Sequence, residues 1–218
     1  ETKTPYAEVS LALPQAIKPQ ADLHARLYAD GVRDLNQFVE GSRADRTEAG
    51  GDGGLPPYEK TITYDQVVST GKLFSMARTD YDYTGGAHGN PLYAGVIWDK
   101  ALKRMVTPAT LFRSGASFTA LDRALCAAIN ADRKAKDPRA TPVALNGQDW
   151  SCPLASKTPF VLAAGSVPGK AGGLTFLIGP YQVGPYSDGS YTVSVGQSVF
   201  RDLIAPAYAD EFGGGLAT

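Results

Sequence analysis

The residues best suited to chemistry are concentrated in one run, Asp80-Tyr81-Asp82-Tyr83-Thr84-Gly85-Gly86-Ala87-His88-Gly89-Asn90-Pro91. It carries one of the chain's two histidines, two carboxylates at i and i+2, and three glycines. Imidazole exchanges a proton near neutral pH. His88 with Asp80, Asp82 or a serine would therefore supply a general acid–base or nucleophilic set. No Gly-x-Ser-x-Gly elbow and no His-Glu-x-x-His pair accompanies it. The competing role is architectural: one ring nitrogen bonds a backbone carbonyl and fixes the glycine loop. We expect that second role and no catalytic residue. Asp80-x-Asp82-x-Thr84-Gly85 mimics the start of a calcium loop, but Pro91 stands where that loop needs a bidentate glutamate. No metal site and no cofactor is expected.

Cys126 and Cys152 are the only cysteines. An even, low count fits one disulfide in an exported protein, worth about 3 kcal/mol by loop-closure entropy. Cys152 lies in a Pro-rich loop that gains from pinning. The alternative is two unpaired core thiols in a cytosolic protein. Tyr81, Tyr83, Tyr93, Tyr181, Tyr186 and Tyr191 cluster around two sequence stretches. Tyrosine offers flat apolar area with a polar tip, suited to glycans or to another protein. Some of the six are expected only to cover the sheet core.

The elements that must position these groups follow from periodicity. Residues 7–13 alternate as a strand that Pro14 ends. Residues 20–40 change to a helical period through Leu23, Leu27, Tyr28, Val32, Leu35 and Val39, with Gly41 as the expected C-terminal cap. His24 falls off that stripe and is assigned no chemistry. Residues 42–57, with two Gly-Gly pairs and Pro56-Pro57, read as a loop. Strands are predicted over 60–69, 72–83, 92–98 and 104–106, the first pair joined through Gly71. A second helix over 116–134 buries Phe118, Leu121, Leu125 and Ile129. Residues 137–158 read as an irregular loop, and strands follow over 160–164, 174–178, 181–186 and 191–195. A short helix over 197–203 closes the series. Neighbouring strands with few crossover helices imply an α+β fold: a mainly antiparallel sheet, two main helices on one side and a short C-terminal helix.

The charge balance, 21 Lys+Arg against 22 Asp+Glu, leaves no basic cluster for phosphates, so nucleic acid is not an expected partner. No apolar run reaches the ~20 residues of a membrane span. Glu1 reads as the start of a processed chain from which a leader or anchor was removed.

Two stretches carry a family resemblance. Residues 81–90 resemble the Tyr-x-Tyr-Thr-Gly-Gly-Ala-His signature of the RsiV-like domain family, and Thr84-Gly85-Gly86-Ala87-His88 is its specific part. Phe176, then Tyr181-Gln182-Val183-Gly184-Pro185-Tyr186 and Asp188-Gly189-Ser190, look like the family's C-terminal strand and turn. Residues 107–112 are similar to a further family stretch, with Ala109 where an acidic residue is usual. The resemblance covers most of the chain apart from residues 42–57 and 137–158. It divides the chain into residues 1–57, a strand–helix subdomain with a loop, and residues 58–218, the RsiV-like α+β domain.

Family domains lie outside the bacterial cytoplasmic membrane. In the anti-sigma factor RsiV the domain binds lysozyme; in the deacetylase PdaC it accompanies a separate catalytic domain. The resemblance therefore implies an extracytoplasmic, non-enzymatic recognition module, periplasmic or on the cell surface, with lysozyme or peptidoglycan as partner. Its expected binding residues are Tyr81, Tyr83, Thr84, Gly85, Gly86, His88, Asn90, Tyr181 and Tyr186. The alternatives are a cell-wall or ester hydrolase using His88 with a nearby carboxylate or serine, and a structural subunit of an envelope assembly.

Overall fold

A computed structural model describes residues 1–50 and 55–218. In chain order its elements are β1 (Thr2–Lys3), β2 (Ala7–Ala12), α1 (Ala21–Glu48), β3 (Tyr58–Ser69), β4 (Leu73–Tyr83), β5 (Asn90–Asp99) and β6 (Arg104–Met105). There follow α2 (Pro108–Leu111), α3 (Thr119–Lys136), β7 (Phe160–Ala164), β8 (Ala171–Ile178) and β9 (Tyr191–Gly196). The first six strands form one sheet in chain order and the last three form another. The fold is α+β and mainly antiparallel, as the sequence implies. The exception is β2, which pairs parallel with β3 from Ala7 opposite Tyr58 to Ala12 opposite Thr63. A parallel pair needs a crossover, and α1 is that crossover.

Contacts divide the chain into two units: residues 1–65 with 78–92, and residues 66–77 with 93–218. In the first, α1 packs on β2. Leu23, Leu27, Gly31 and Leu35 recur every fourth residue and form its buried face. At Gly31 the Leu11 side chain occupies the space a Cβ would need, 2.8 Å from it.

The helix does not stop at Gly41, as expected from sequence, but runs on to Glu48. A helical glycine costs about 1 kcal/mol, which tertiary anchoring can offset. Here Ser42 Oγ donates to the Phe38 carbonyl at 2.7 Å. Arg46 is buried, donates to the carbonyls of Leu55 and Pro56, and lies 5.1 Å over the Tyr58 ring. The loop expected at 42–57 is thus helical in its first half; residues 51–54 of it lie outside the described residues.

In the second unit α3 packs on β9, and Leu121, Leu125 and Ile129 are buried as their spacing predicts. Phe118 caps the helix and meets Phe112 edge-on at 4.9 Å. The contact continues through Phe160 to Phe176, and β8 is buried along its whole length. The Cys126–Cys152 disulfide forms, tying α3 to the irregular loop after it. Two expectations fail. Residues 181–186 are not a strand: Tyr181 has φ 66° and a 3-10 turn follows at Tyr186–Asp188. The short C-terminal helix is instead two 3-10 turns, Gln197–Val199 and Arg201–Leu203, separated at Phe200 (φ −130°, ψ 1°), which breaks the helical run. No helix of the described residues is long and apolar enough to cross a membrane.

Candidate functional site

β4 alternates, so Arg78, Asp80 and Asp82 share one of its faces while Tyr81 and Tyr83 share the other. The charged face forms a ladder. Arg78 Nε donates to Asp80 Oδ1 at 2.5 Å and Nη2 to Asp80 Oδ2 at 2.8 Å. Nη2 also reaches Asp34 Oδ2 on α1 at 3.0 Å. Lys60, on β3, lies 2.7 Å from Asp82 Oδ1 and 3.5 Å from Asp80 Oδ2. Burial pushes the Asp80 carboxyl up, but Arg78 and Lys60 outweigh it and hold the group below its usual range. The hydrogen bonds to Asp80 raise Arg78 in turn. Beside them burial raises the Tyr64 phenol, and Arg78 opposes this only in part.

The carboxylates that sequence spacing offered to calcium or to His88 are thus committed to two cations. Among the described residues no three His, Cys, Asp or Glu side chains converge as a metal site would require. The opposite-sign alternation of Arg78, Asp80 and Asp82 was the available signal for a ladder; its partners Asp34 and Lys60, distant in sequence, had none.

The tyrosine face shapes the loop. Gly85 and Gly86 adopt φ 90° and 96°, conformations open to glycine and strained for other residues. The Tyr83 hydroxyl donates to the Gly86 carbonyl at 3.1 Å and closes the bend. Gly89 is buried because the Tyr81 ring covers it where a side chain would stand. Thr84, Gly85, Gly86, His88 and Asn90 are exposed. His88 Nδ1 lies 3.0 Å from the Gly89 carbonyl oxygen, which as an acceptor takes the ring N–H. The contact is to a backbone carbonyl, on a residue that is exposed overall.

Tyr181 and Tyr186 belong to the second unit, where their rings lie 5.5 Å apart and Tyr181 is 55% exposed. Tyr191 is buried, with Lys136 Nζ 4.1 Å from its ring centre. Tyr93 donates to Ser190 Oγ at 2.8 Å and packs on Ala77, Val161 and Leu177. These last two are structural tyrosines.

Sequence reasoning passed over two further features of the second unit. One is Asp99, buried yet held below its usual range. Burial pushes it up, but the N–H groups of Leu102 and Ala101 and the Tyr208 hydroxyl, at 2.8, 3.0 and 2.7 Å, prevail. The other is Arg133, buried at the C-terminal half of α3, donating to the Val183 carbonyl at 2.7 Å. Gly184 makes room for it, since a Cβ there would lie 3.0 Å from its Nη1. A charged residue near the end of an amphipathic helix reads as solvated, so the sequence held no signal for its burial.

Residues 1–91 match the family described as deacetylase PdaC, a span that takes in all of the first unit except Leu92. No curated protein matches the chain. Among solved structures, a member of the DUF3298 family from Bacteroides fragilis is similar at TM-score 0.56 and 19% identity, covering 88% of this chain and 72% of its own. A DUF3298 family protein from Pseudomonas aeruginosa is similar at TM-score 0.53 and 15% identity, covering 95% of this chain and 87% of its own. At such identities the likeness is one of fold.

Proposed function

We propose, from the match of residues 1–91 to the PdaC family, that the chain is a non-enzymatic recognition module of the bacterial cell envelope. It acts outside the cytoplasm and binds a cell-wall glycan or a wall-directed protein such as lysozyme. The observation that carries this reading is the state of loop 83–91. Its residues 84–88 and Asn90 are exposed, the Tyr83–Gly86 bond and the Tyr81–Gly89 contact shape it, and Asp80 and Asp82 beside it are held by Arg78 and Lys60. Such a loop presents contact groups with little ordering left to do on binding. The disulfide fits an oxidising compartment.

Calorimetric titration of the purified chain with lysozyme and with soluble peptidoglycan fragments tests the reading. Saturable binding weakened by Tyr83→Ala or His88→Ala supports it; silence of both ligands at high micromolar concentration removes this partner class.

The exposure of His88 favours a second reading, an envelope or ester hydrolase. Turnover of an ester or peptidoglycan substrate that vanishes in His88→Gln would establish it in place of the first.

A further inference from the structure

The second unit holds a groove of about 430 Å³ between the C-terminal half of α3 and loop 141–150. Arg133, Val143, Gly147, Gln148, Asp149 and Trp150 are among its walls. We propose that this groove binds a short glycan. One sugar ring stacks on Trp150, Gln148 and Asp149 hold the ring's hydroxyl or acetamido oxygens, and the Arg133 guanidinium lends its charge to the wall. The site uses residues of the second unit alone and does not depend on the reading of loop 83–91.

Four observations converge. The chain has two tryptophans; Trp98 is 4% exposed, as a core indole should be, while Trp150 is 37% exposed on the groove. An indole offers the apolar C–H face of a sugar a flat surface, with an N–H donor at its rim. Next to it in sequence stand Asp149 and Gln148, both exposed. A carboxylate accepts and an amide both donates and accepts, which matches neighbouring hydroxyls that each do both.

The third observation is Arg133. Its residue is only 9% exposed, and its Nε–H finds no hydrogen-bond acceptor among the described residues. Nη1 and Nη2 are used, by the Val183 carbonyl at 2.7 Å and the Thr141 carbonyl at 3.4 Å. The Nε nitrogen is closed to solvent, so what the groove receives from Arg133 is the charge of its guanidinium and not this donor. The charge balance argues against a phosphate or another strong anion. Asp188 Oδ2 already lies 3.5 Å from the guanidinium, and Asp149 faces the same groove.

The fourth is rigidity. Asn130 on α3 grips Val143 from both sides, accepting its N–H at 2.8 Å and donating to its carbonyl at 2.8 Å. Cys152 N–H donates to the Ala144 carbonyl at 2.8 Å, and the disulfide anchors Cys152 to α3. At Gly147 the Trp150 carbonyl occupies the place of a side chain, so the turn closes on itself. Sugars bind weakly for their polarity, and a wall already in place spares the cost of ordering it. The volume lies within the range of small-ligand sites, roughly 300–1,000 Å³.

Calorimetry of the intact, oxidised chain with chitotetraose, and separately with maltotetraose, tests the proposal. We expect saturable binding of at least one sugar with Kd below about 1 mM. Trp150→Ala should weaken it at least ten-fold, Trp150→Tyr should restore most of it, and His88→Ala should leave it unchanged. If Trp150→Ala shifts the far-ultraviolet circular dichroism, the double variant Gln148→Ala/Asp149→Ala takes its place with the same ten-fold loss expected. No saturable heat from either sugar up to about 10 mM overturns the proposal. So does binding that survives these variants, or binding that follows His88 and ignores Trp150.

Discussion

Arg78 and Asp80 face one another across two parallel hydrogen bonds, 2.5 and 2.8 Å, on the same strand face, and a third bond from Arg78 crosses to Asp34 on α1 at 3.0 Å. Their side chains are each 17% exposed. The pair therefore acts in a setting where removing one partner strands the other away from water. Arg78→Met leaves both carboxylates without their main cation. We expect a loss of about 2–3 kcal/mol in urea unfolding, short of the fully buried case because Lys60 still reaches Asp80. A loss under about 0.5 kcal/mol would place the pair with ordinary surface bridges and end its structural role.

The same pair sets a pH dependence. The folded-state pKa of Asp80 lies below its unfolded value, so its contribution is complete above the unfolded carboxyl range, about pH 4, and fades as pH falls through the lower folded value. Asp99 has the same sign, since backbone N–H groups and Tyr208 favour its charged form over the burial that opposes it. Tm should therefore fall steeply on acidification below about pH 4. The gap in Tm between the wild type and Asp80→Asn should be widest near neutrality and narrow with acid. A gap that stays constant down to pH 2.5 would contradict the assignment.

Cys126 and Cys152 close a sequence separation of 26 residues. The chain-entropy relation gives about 3.5 kcal/mol for a loop of that length. Reduction, or Cys126→Ser with Cys152→Ser, should lower stability by that order in chemical denaturation. Hydrogen exchange should rise first in loop 141–152, because Asn130 and the longer bond from Arg133 to the Thr141 carbonyl then hold it to α3. Equal protection of that loop in both redox states would show that the bond is dispensable to it.

What the sequence made legible was periodic or local. The α3 stripe of Leu121, Leu125 and Ile129, the break between β3 and β4 around Gly71 and the positive-φ glycine bend at 85–86 are written in spacing or in residues that permit a turn. What it concealed depends on partners far along the chain. The extension of α1 past Gly41 rests on Arg46 meeting Leu55, Pro56 and Tyr58. The parallel pairing of β2 with β3 needed the end of that same helix to be placed correctly. Tyr181 interrupts an apparently alternating run by a positive φ that no residue type announces. Arg133 looked like a solvated helix residue and is buried because Gly184 and Val183, fifty residues later, make a seat for it.

Within loop 83–91 the geometry ranks the substitutions. A methyl group at Gly89 would enter the half-buried Tyr81 ring, which must swing aside and uncover the buried backbone beneath it. Gly89→Ala should cost about 2 kcal/mol, typical of overpacking. Gly85→Ala and Gly86→Ala meet no neighbour, and their cost is backbone strain alone, about 1 kcal/mol each. His88→Gln removes the part-buried contact to the Gly89 carbonyl, worth about 0.5–1 kcal/mol. Stability should thus fall in the order Gly89→Ala, then the two other glycine variants, with His88→Gln the mildest. Thermal unfolding of the four variants reads this order directly. A His88→Gln variant less stable than Gly89→Ala would mean that the imidazole, and not the Tyr81 ring, holds the loop. It would then serve as framework in preference to a presented contact group.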